Sequence, residues 1–335
     1  MNERQQKVLD RVNSLILERI KNGENFLVKK YTKVDLLDGY VNEPRNYVSN
    51  KPYTGVNRAL LEPGYYVSFK QAKELGGKVK KGAKASMVYG LFTHEYVKYK
   101  YISENGETIE KTTTKDGFEK LKLKNPEIEY EIVEEWTTTR HAYFYVFNIR
   151  DCENLKKLNH TVIKTIPDPK IPTQELDPLA EFIVKLNTEI KPNPIHLQPN
   201  SVIECSSYSS ETDTVYMKNF FEYEDSSDYY DNLFHELSHA TGHESRLNRK
   251  SLTTEARYGD DIYSKEELVA QISSNYCMQR LHLLTYKQLE KSNEYVKSWY
   301  NHLSEPLKKD PAFLIKIFSS AEKASNYLFS NGGNE

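Results

Sequence analysis

Apolar positions recur every three or four residues over residues 3–21, at Val8, Val12, Leu15, Ile16 and Ile20. That spacing predicts an amphipathic helix stopped by Asn22-Gly23. A stretch punctuated by Pro44, Pro52, Gly55, Pro63 and Gly64 follows and reads as loop. Ser68 then has the character of an N-cap for a short helix over 69–75, ended by Gly76-Gly77. From residue 85 the pattern changes to strand. Residues 85–102 are rich in Val, Tyr and Phe, and Asn105-Gly106 separates them from 107–114, a hairpin signal. The charged segment 118–135 reads as an insertion, and 141–149 (HAYFYVFNI) as a further buried strand.

Residues 160–178 hold four prolines and little core material. Beyond them the pattern predicts a helix over 179–190, a strand over 201–205 and a second strand over 213–218 across a Ser-rich turn. Helices follow over about 226–242, 264–282, 285–303 and 310–328. The predicted class is α+β with two domains: a small α+β unit over 1–158, a linker over 159–178, and a mostly helical domain with a small sheet over 179–335.

Composition fits this organisation. A chain of 335 residues is long for one domain, and 38% hydrophobic with 28% charged residues is the balance of a folded soluble protein. No apolar run approaches the roughly 20 residues that span a bilayer, which argues against a membrane partner, and the N-terminal helix is too mixed in charge for a signal peptide. Cys152, Cys205 and Cys277 lie far apart and read as thiols in a reducing cytoplasm. Charge is uneven. Residues 1–100 carry 19 Lys and Arg against 10 Asp and Glu, although the whole chain has a net charge of −2. Such asymmetry suggests that the first half meets a polyanion.

The chemistry concentrates in His235-Glu236-Leu237-Ser238-His239, an HExxH sequence in a segment of helical pattern. Residues i and i+4 share a helix face, so both imidazoles can reach one ion at about 2.0–2.1 Å. Glu236 projects beside them, placed as the general base that takes a proton from water in an open coordination position and passes it to a leaving amine. Zinc is the expected ion, although imidazole and carboxylate donors also suit Mn2+, Co2+ or Ni2+.

A catalytic site of this kind needs a third protein ligand. Ser245 stands where a metzincin would have its final histidine. His243 follows the stop at Gly242 and reads as a group near the metal or substrate rather than a ligand. Asp260 or Asp261 would give an aspartate site. Glu267 is preferred: Ala270 lies three residues on, a small residue that lets its helix approach the HExxH helix closely. Glu266, about 100° round that helix, reads as a cap or a solvent-facing residue. The strand 213–218 is expected at a sheet edge, where an extended peptide could pair with it.

In the first half, Lys70, Lys73, Lys78, Lys80, Lys81 and Lys84 crowd a short helix–turn–strand with Gly76, Gly77 and Gly82. Tyr53, Tyr65, Tyr66, Phe69 and Tyr89 are interleaved with them. Basic grooves with aromatic platforms bind single strands without sequence preference.

Both halves resemble one family. HELSHATGHESRLNR (235–249), YSKEELVAQISSNY (263–276), SWYNHL (298–303) and AEKASNYL (321–328) are similar to the ArdC-type antirestriction proteins. So are NKPYTGVN (50–57), with Tyr53 and Asn57, SFKQAKELGGKVKKGAKAS (68–86) and YVFNI (145–149). The resemblance implies a single-stranded-DNA-binding domain joined to a zincin-like metallopeptidase domain, carried by a mobile element to protect entering DNA from restriction. By position it makes His235, His239 and Glu267 the metal ligands and Glu236 the general base. The chain departs from the family pattern at 25–33 (NFLVKKYTK), where a Trp-Pro-rich segment is usual. It departs again at Gln271, where an acidic residue is common, and in a longer stretch around 94–135. The expected partners are single-stranded DNA and a host protein substrate. The alternatives are a non-enzymatic shield on single-stranded DNA whose metal is structural, and a regulatory peptidase acting on a repressor.

Overall fold

The computed structural model describes residues 3–22, 31–166, 189–192, 206–253 and 261–329. Helix α1 (Glu3–Lys21) buries Val8, Val12, Ile16 and Ile20 of the stripe visible in the sequence, together with Leu9, and leaves Leu15 half-buried. Strands β1 (Thr32–Val34) and β2 (Gly39–Val41) form an antiparallel pair. Then come β3 (Pro44–Asn46), helix α2 (Val56–Leu60) and β4 (Gly64–Val67), with β3 and β4 parallel. Helix α3 (Phe69–Glu74) starts at a capping box: the Ser68 hydroxyl accepts from the Gln71 amide, and the Gln71 side chain accepts from the Ser68 amide. It ends before Gly76, whose φ of +74° favours glycine.

Strands β5 (Lys78–Val79), β6 (Ser86–Ile102) and β7 (Thr108–Thr114) follow, and the turn between the last two passes through Gly106 at φ +80°. The charged segment predicted as an insertion is folded. Helix α4 (Lys115–Lys124) buries Phe118 against Val97 and Tyr99, and strand β8 (Glu131–Asn148) starts well before the strand expected at 141. Most β8 side chains up to Tyr145 are exposed or only partly covered, so its first half carries no alternation of apolar and polar residues to read. Strand β9 (Cys152–Glu153) pairs with β5.

The chain divides into two compact units, Met1–Leu9 with Tyr89–Phe144, and Asp10–Val88 with Tyr145–Glu335. The first contains the strand order β8-β6-β7, with β6 and β7 antiparallel from Tyr96↔Thr114 to Ile102↔Thr108. In the second, β4 pairs with the end of β8 at Tyr66↔Asn148 and Val67↔Phe147. Val34, Leu37, Val41, Tyr47, Tyr65, Val67 and Ile149 form one of its cores. Residues 159–166, expected to begin a linker, dock on that core: Ile163 bridges Tyr40, and the His160 ring stacks on Tyr65 at 5.2 Å. Residues 167–178, most of the helix expected over 179–190, and the strand expected over 201–205 with Cys205 lie outside the described residues.

The second unit continues with β10 (Glu189–Pro192), β11 (Ser207–Ser209) and β12 (Thr214–Met217). Their order is β10-β12-β11, parallel then antiparallel. The strand expected at an edge is therefore central, because β10, more than twenty residues upstream, takes its second side; among the described residues β10 and β11 are the outer strands. Helices α5 (Ser226–Ala240), α6 (Lys250–Thr253), α7 (Asp261–Arg280), α8 (Tyr286–Ser298), α9 (Ser304–Lys309) and α10 (Phe313–Phe329) complete the chain. Val215 and Met217 of β12 meet Tyr230, Leu233, Phe234 and Leu237 of α5, Met278 of α7 and Leu328 of α10. Each such side chain contributes about 1.5–3 kcal/mol on burial. Within this unit the Arg58 guanidinium of α2 sits 4.0 Å over the Tyr276 ring of α7 and pairs with Glu322 of α10. The fold is α+β, and no helix among the described residues is long and apolar enough to cross a membrane.

Candidate metal centre

Helix α5 is fixed at both ends. Asp225 caps it by accepting from the Asp228 amide, and Asp228 is held by Lys291 at 2.6 Å and by the Gln288 amide at 2.9 Å. At the C-terminus the Arg246 Nε donates to Ala240 O at 2.6 Å, and Arg249 donates to Ser238 O at 2.6 Å. Two guanidinium groups thus satisfy carbonyls that a helix end leaves open and complement its negative pole. Gly242 allows this, since a Cβ there would come within 2.7 Å of the Arg249 guanidinium. Helices α5 and α7 approach closely where Ser238 donates to Ser273 at 2.8 Å, with Ala270 buried nearby in sequence.

On this frame His235, His239 and Glu267 converge, each offering a ligand atom within 4.8 Å of the others. The two Nε2 atoms are 3.2 Å apart, and the Glu267 oxygens lie 3.5 Å from each. Ligands about 2.0–2.1 Å from a tetrahedral ion stand about 3.4 Å from one another, so the nearest approaches of these three side chains match the spacing such an ion sets. Charge points the same way. Burial works against a charged His235, but the hydrogen bond to Glu267 and the charge of Glu236 outweigh it and push the imidazole up to about 9. Burial likewise opposes the Glu267 carboxylate, yet the hydrogen bond from His235 and the charge of His239 hold it at about 2. The pocket stabilises positive charge between these groups.

Glu236 is buried beside the pair. Burial raises its carboxyl above the usual range, partly offset by the two histidines, and the Tyr208 amide of β11 hydrogen-bonds to it. Tyr208 is itself anchored, its hydroxyl donating to Asp213 at 2.7 Å, while Arg246 pairs with Asp213.

Glu266 is neither a cap nor solvent-facing. It is 4% exposed, and its carboxylate accepts from Arg249 Nε at 3.1 Å and from the Ser251 hydroxyl at 2.6 Å. One oxygen lies 3.4 Å from His239 Nδ1, the nitrogen facing away from the cluster. A carboxylate behind an imidazole fixes its ring orientation and tautomer. Burial opposes the Glu266 charge, but His239 and Arg249 hold the carboxyl well below its usual range. That orienting role falls to Glu266 for His239, whereas Gln271 turns to Ser292. His243 bonds to Ser245 on the partly exposed loop and does not join the cluster. Asp260 and the side chain of Asp261 lie outside what the structure describes. Arg249, Tyr208 and Tyr295, whose hydroxyl donates to Glu267 at 2.8 Å, escaped the sequence reading: none belongs to a periodic motif.

The basic strip has another character. Lys70, Lys73, Lys78, Lys80, Lys81 and Lys84 are all exposed, with Lys70 3.7 Å from Glu74, Lys78 3.3 Å from Glu153 and Lys80 donating to Arg150 O. Phe69 is 65% exposed against Phe147. Tyr53 instead meets Tyr66 edge-on at 6.3 Å and is largely enclosed, and Asn57 is half-buried at the start of α2.

Comparison with known proteins adds two domain families. Residues 6–147 match the N-terminal domain of anti-restriction factor ArdC, and residues 197–321 match a zincin-like metallopeptidase domain. Such a domain implies a divalent metal. Two Escherichia coli proteins named DNA primase TraC are 24% and 25% identical over 86% of this chain. The chain spans only 24% and 18% of their lengths. An uncharacterized protein of Sinorhizobium fredii, y4eC, is 21% identical over 96% of this chain and 91% of its own. The crystal structures of the antirestriction ArdC protein from plasmid R388, metal-free and Mn(II)-bound, superpose with TM-scores of 0.58 and 0.60. Each does so at 23% identity, over 98% of this chain and 97% of theirs. An ArdC N-terminal domain followed by a zincin-like metallopeptidase domain is the arrangement of an ArdC-type protein, and this chain carries both domains in that order, on a fold it shares with the R388 structures.

Proposed function

We propose that this protein is an antirestriction factor of a mobile element, in which a divalent-metal peptidase over 179–335 is joined to a single-stranded-DNA-binding half over 1–158. The observation that carries the enzymatic part is the convergence of His235, His239 and Glu267 with Glu236 buried beside them. An ion held by these three, zinc or one of the divalent metals with similar preferences, would supply Lewis acidity towards water and a peptide carbonyl. Glu236, its carboxylate aimed by the Tyr208 amide, takes the proton from water and delivers it to the departing amine. Glu266 and Arg249 keep His239 from turning. An extended protein substrate pairs with the outer strand β11 rather than with the central β12. Exposed lysines over 70–84 and the open ring of Phe69 support a sequence-independent contact with single-stranded DNA. The names of relatives that act on or protect DNA support the same assignment, and the cytoplasm is the compartment this reading proposes for it.

A second reading, a non-enzymatic shield, draws on those lysines alone. Transfer of unmodified DNA into a restricting host, protected by wild-type protein or by Glu236→Ala, tests the two. Lost protection with metal content and DNA binding intact is the expected result. Full protection by the variant would leave only the shield.

A further inference from the structure

Helix α8 brings a fourth side chain to the metal centre. Buried polar contacts set its rotation: the Gln288 amide donates to Asp228 of α5 at 2.9 Å, and Ser292 accepts from Asn275 and, at 3.5 Å, from Gln271, both on α7. Gln288, Ser292 and Tyr295 stand at i, i+4 and i+7, on one helix face. The face locked onto α5 and α7 by its first two residues therefore delivers the third to the cluster. The Tyr295 hydroxyl donates to Glu267 Oε2 at 2.8 Å, and its ring meets His235 edge-on at 6.4 Å and 89°.

Glu267 has two oxygens and both face the imidazoles, Oε1 at 3.5 Å from His239 Nε2 and Oε2 at 3.5 Å from His235 Nε2. Left alone, such a carboxylate can give an ion one oxygen or two. Donation by Tyr295 engages Oε2 and leaves Oε1 as the free donor. Resting on the metal-site reading above, we infer that Tyr295 is a positioning residue. It restricts Glu267 to a single ligating oxygen, so that the two histidines and one oxygen leave room on the ion for water and a substrate carbonyl. The ring holds His235, and the hydroxyl sets the denticity of Glu267. A structural site is closed by its protein ligands, whereas a catalytic one keeps a position open.

The test compares wild type, Tyr295→Phe, Tyr295→Leu and Glu267→Ala, using zinc and cobalt(II) alone as probes. Tyr295→Phe keeps the ring and removes the hydroxyl. Its zinc affinity is expected to fall about 10-fold to 100-fold, the range for losing a group that orients a ligand. Its cobalt(II) complex should show weaker visible absorption, as coordination rises when both oxygens bind. Tyr295→Leu should show the same spectrum with a further loss of affinity, because the ring against His235 is gone. Wild-type affinity and spectrum in Tyr295→Phe, with metal binding lost in Glu267→Ala, would overturn this role for Tyr295 and leave the metal site standing. Absence of metal binding by the wild-type protein would overturn both.

Discussion

Around His235 the side chains answer one another: His239 lies against Glu266, Glu266 against Arg249, and Glu267 against His235 and Tyr295, all within the protein. Along residues 70–84 the ammonium groups stand in water, and the acids near them, Glu74 and Glu153, are themselves exposed. The first arrangement works in low dielectric, where an interaction is strong and an unmatched partner is costly. In the second, each charge is screened and worth little alone. The metal centre should therefore fail as a unit when one member is lost, while the basic strip should lose affinity in increments.

The sharpest break is at a ligand. His239→Ala should remove bound metal almost entirely, from about one ion per chain to near none after dialysis against metal-free buffer. Elemental analysis checks it, and a variant that keeps its metal would mean the ion is held elsewhere. Next comes Arg249→Ala, which leaves the Glu266 carboxylate buried at 4% exposure with its guanidinium partner gone, and takes one donor each from Ser238 O and His239 O. Breaking a buried pair on one side costs about 3–5 kcal/mol, to be read from guanidinium unfolding of the metal-free protein. A loss below 1 kcal/mol would place this pair with the surface pairs and erase the contrast.

What could be read from the sequence follows from how each feature is encoded. His235 and His239 are paired by helical period alone, and Glu267 by a small residue three positions on, so both reasoning and geometry bring these three together. Glu266 was misread because its role depends on Arg249, which sits in an aperiodic turn and reaches back over Gly242. Tyr295 was invisible because α8 reads as an ordinary amphipathic helix, and the partners that orient it, Asp228 and Asn275, are distant in sequence. The central place of β12 was missed because a parallel partner joins through a long connection that leaves no local signal. Among the proposed DNA contacts, exposure separates Phe69 from Tyr53, a distinction composition cannot make.

On the surface side, Lys78→Glu, Lys80→Glu and Lys81→Glu together should weaken single-stranded DNA binding about a hundredfold at 0.1 M salt. Each phosphate contact contributes about 0.7 to the salt slope of a single strand, so the slope should flatten by about 2. Single reversals should each give about a third of the logarithmic loss. Anisotropy titrations over a salt series decide the point, and one lysine carrying the whole effect would make this strip a specific site instead.

The smallest expected effect separates charge from stacking within the strip. Phe69 opens α3 beside Lys70, with its ring 65% exposed and only an edge contact to Phe147 at 6.5 Å. Removing it should cost the fold little and DNA binding about 1 kcal/mol, the low end for one stacked base, or about fivefold. Because the term is not ionic, Phe69→Ala should shift the salt titration without changing its slope, the reverse of the lysine variants. Phe69→Leu distinguishes stacking from apolar cover, since leucine offers similar bulk against Phe147 and no π face. If Phe69→Leu binds as wild type does, the ring serves only to pack α3 on β8, and the strip holds DNA by charge alone.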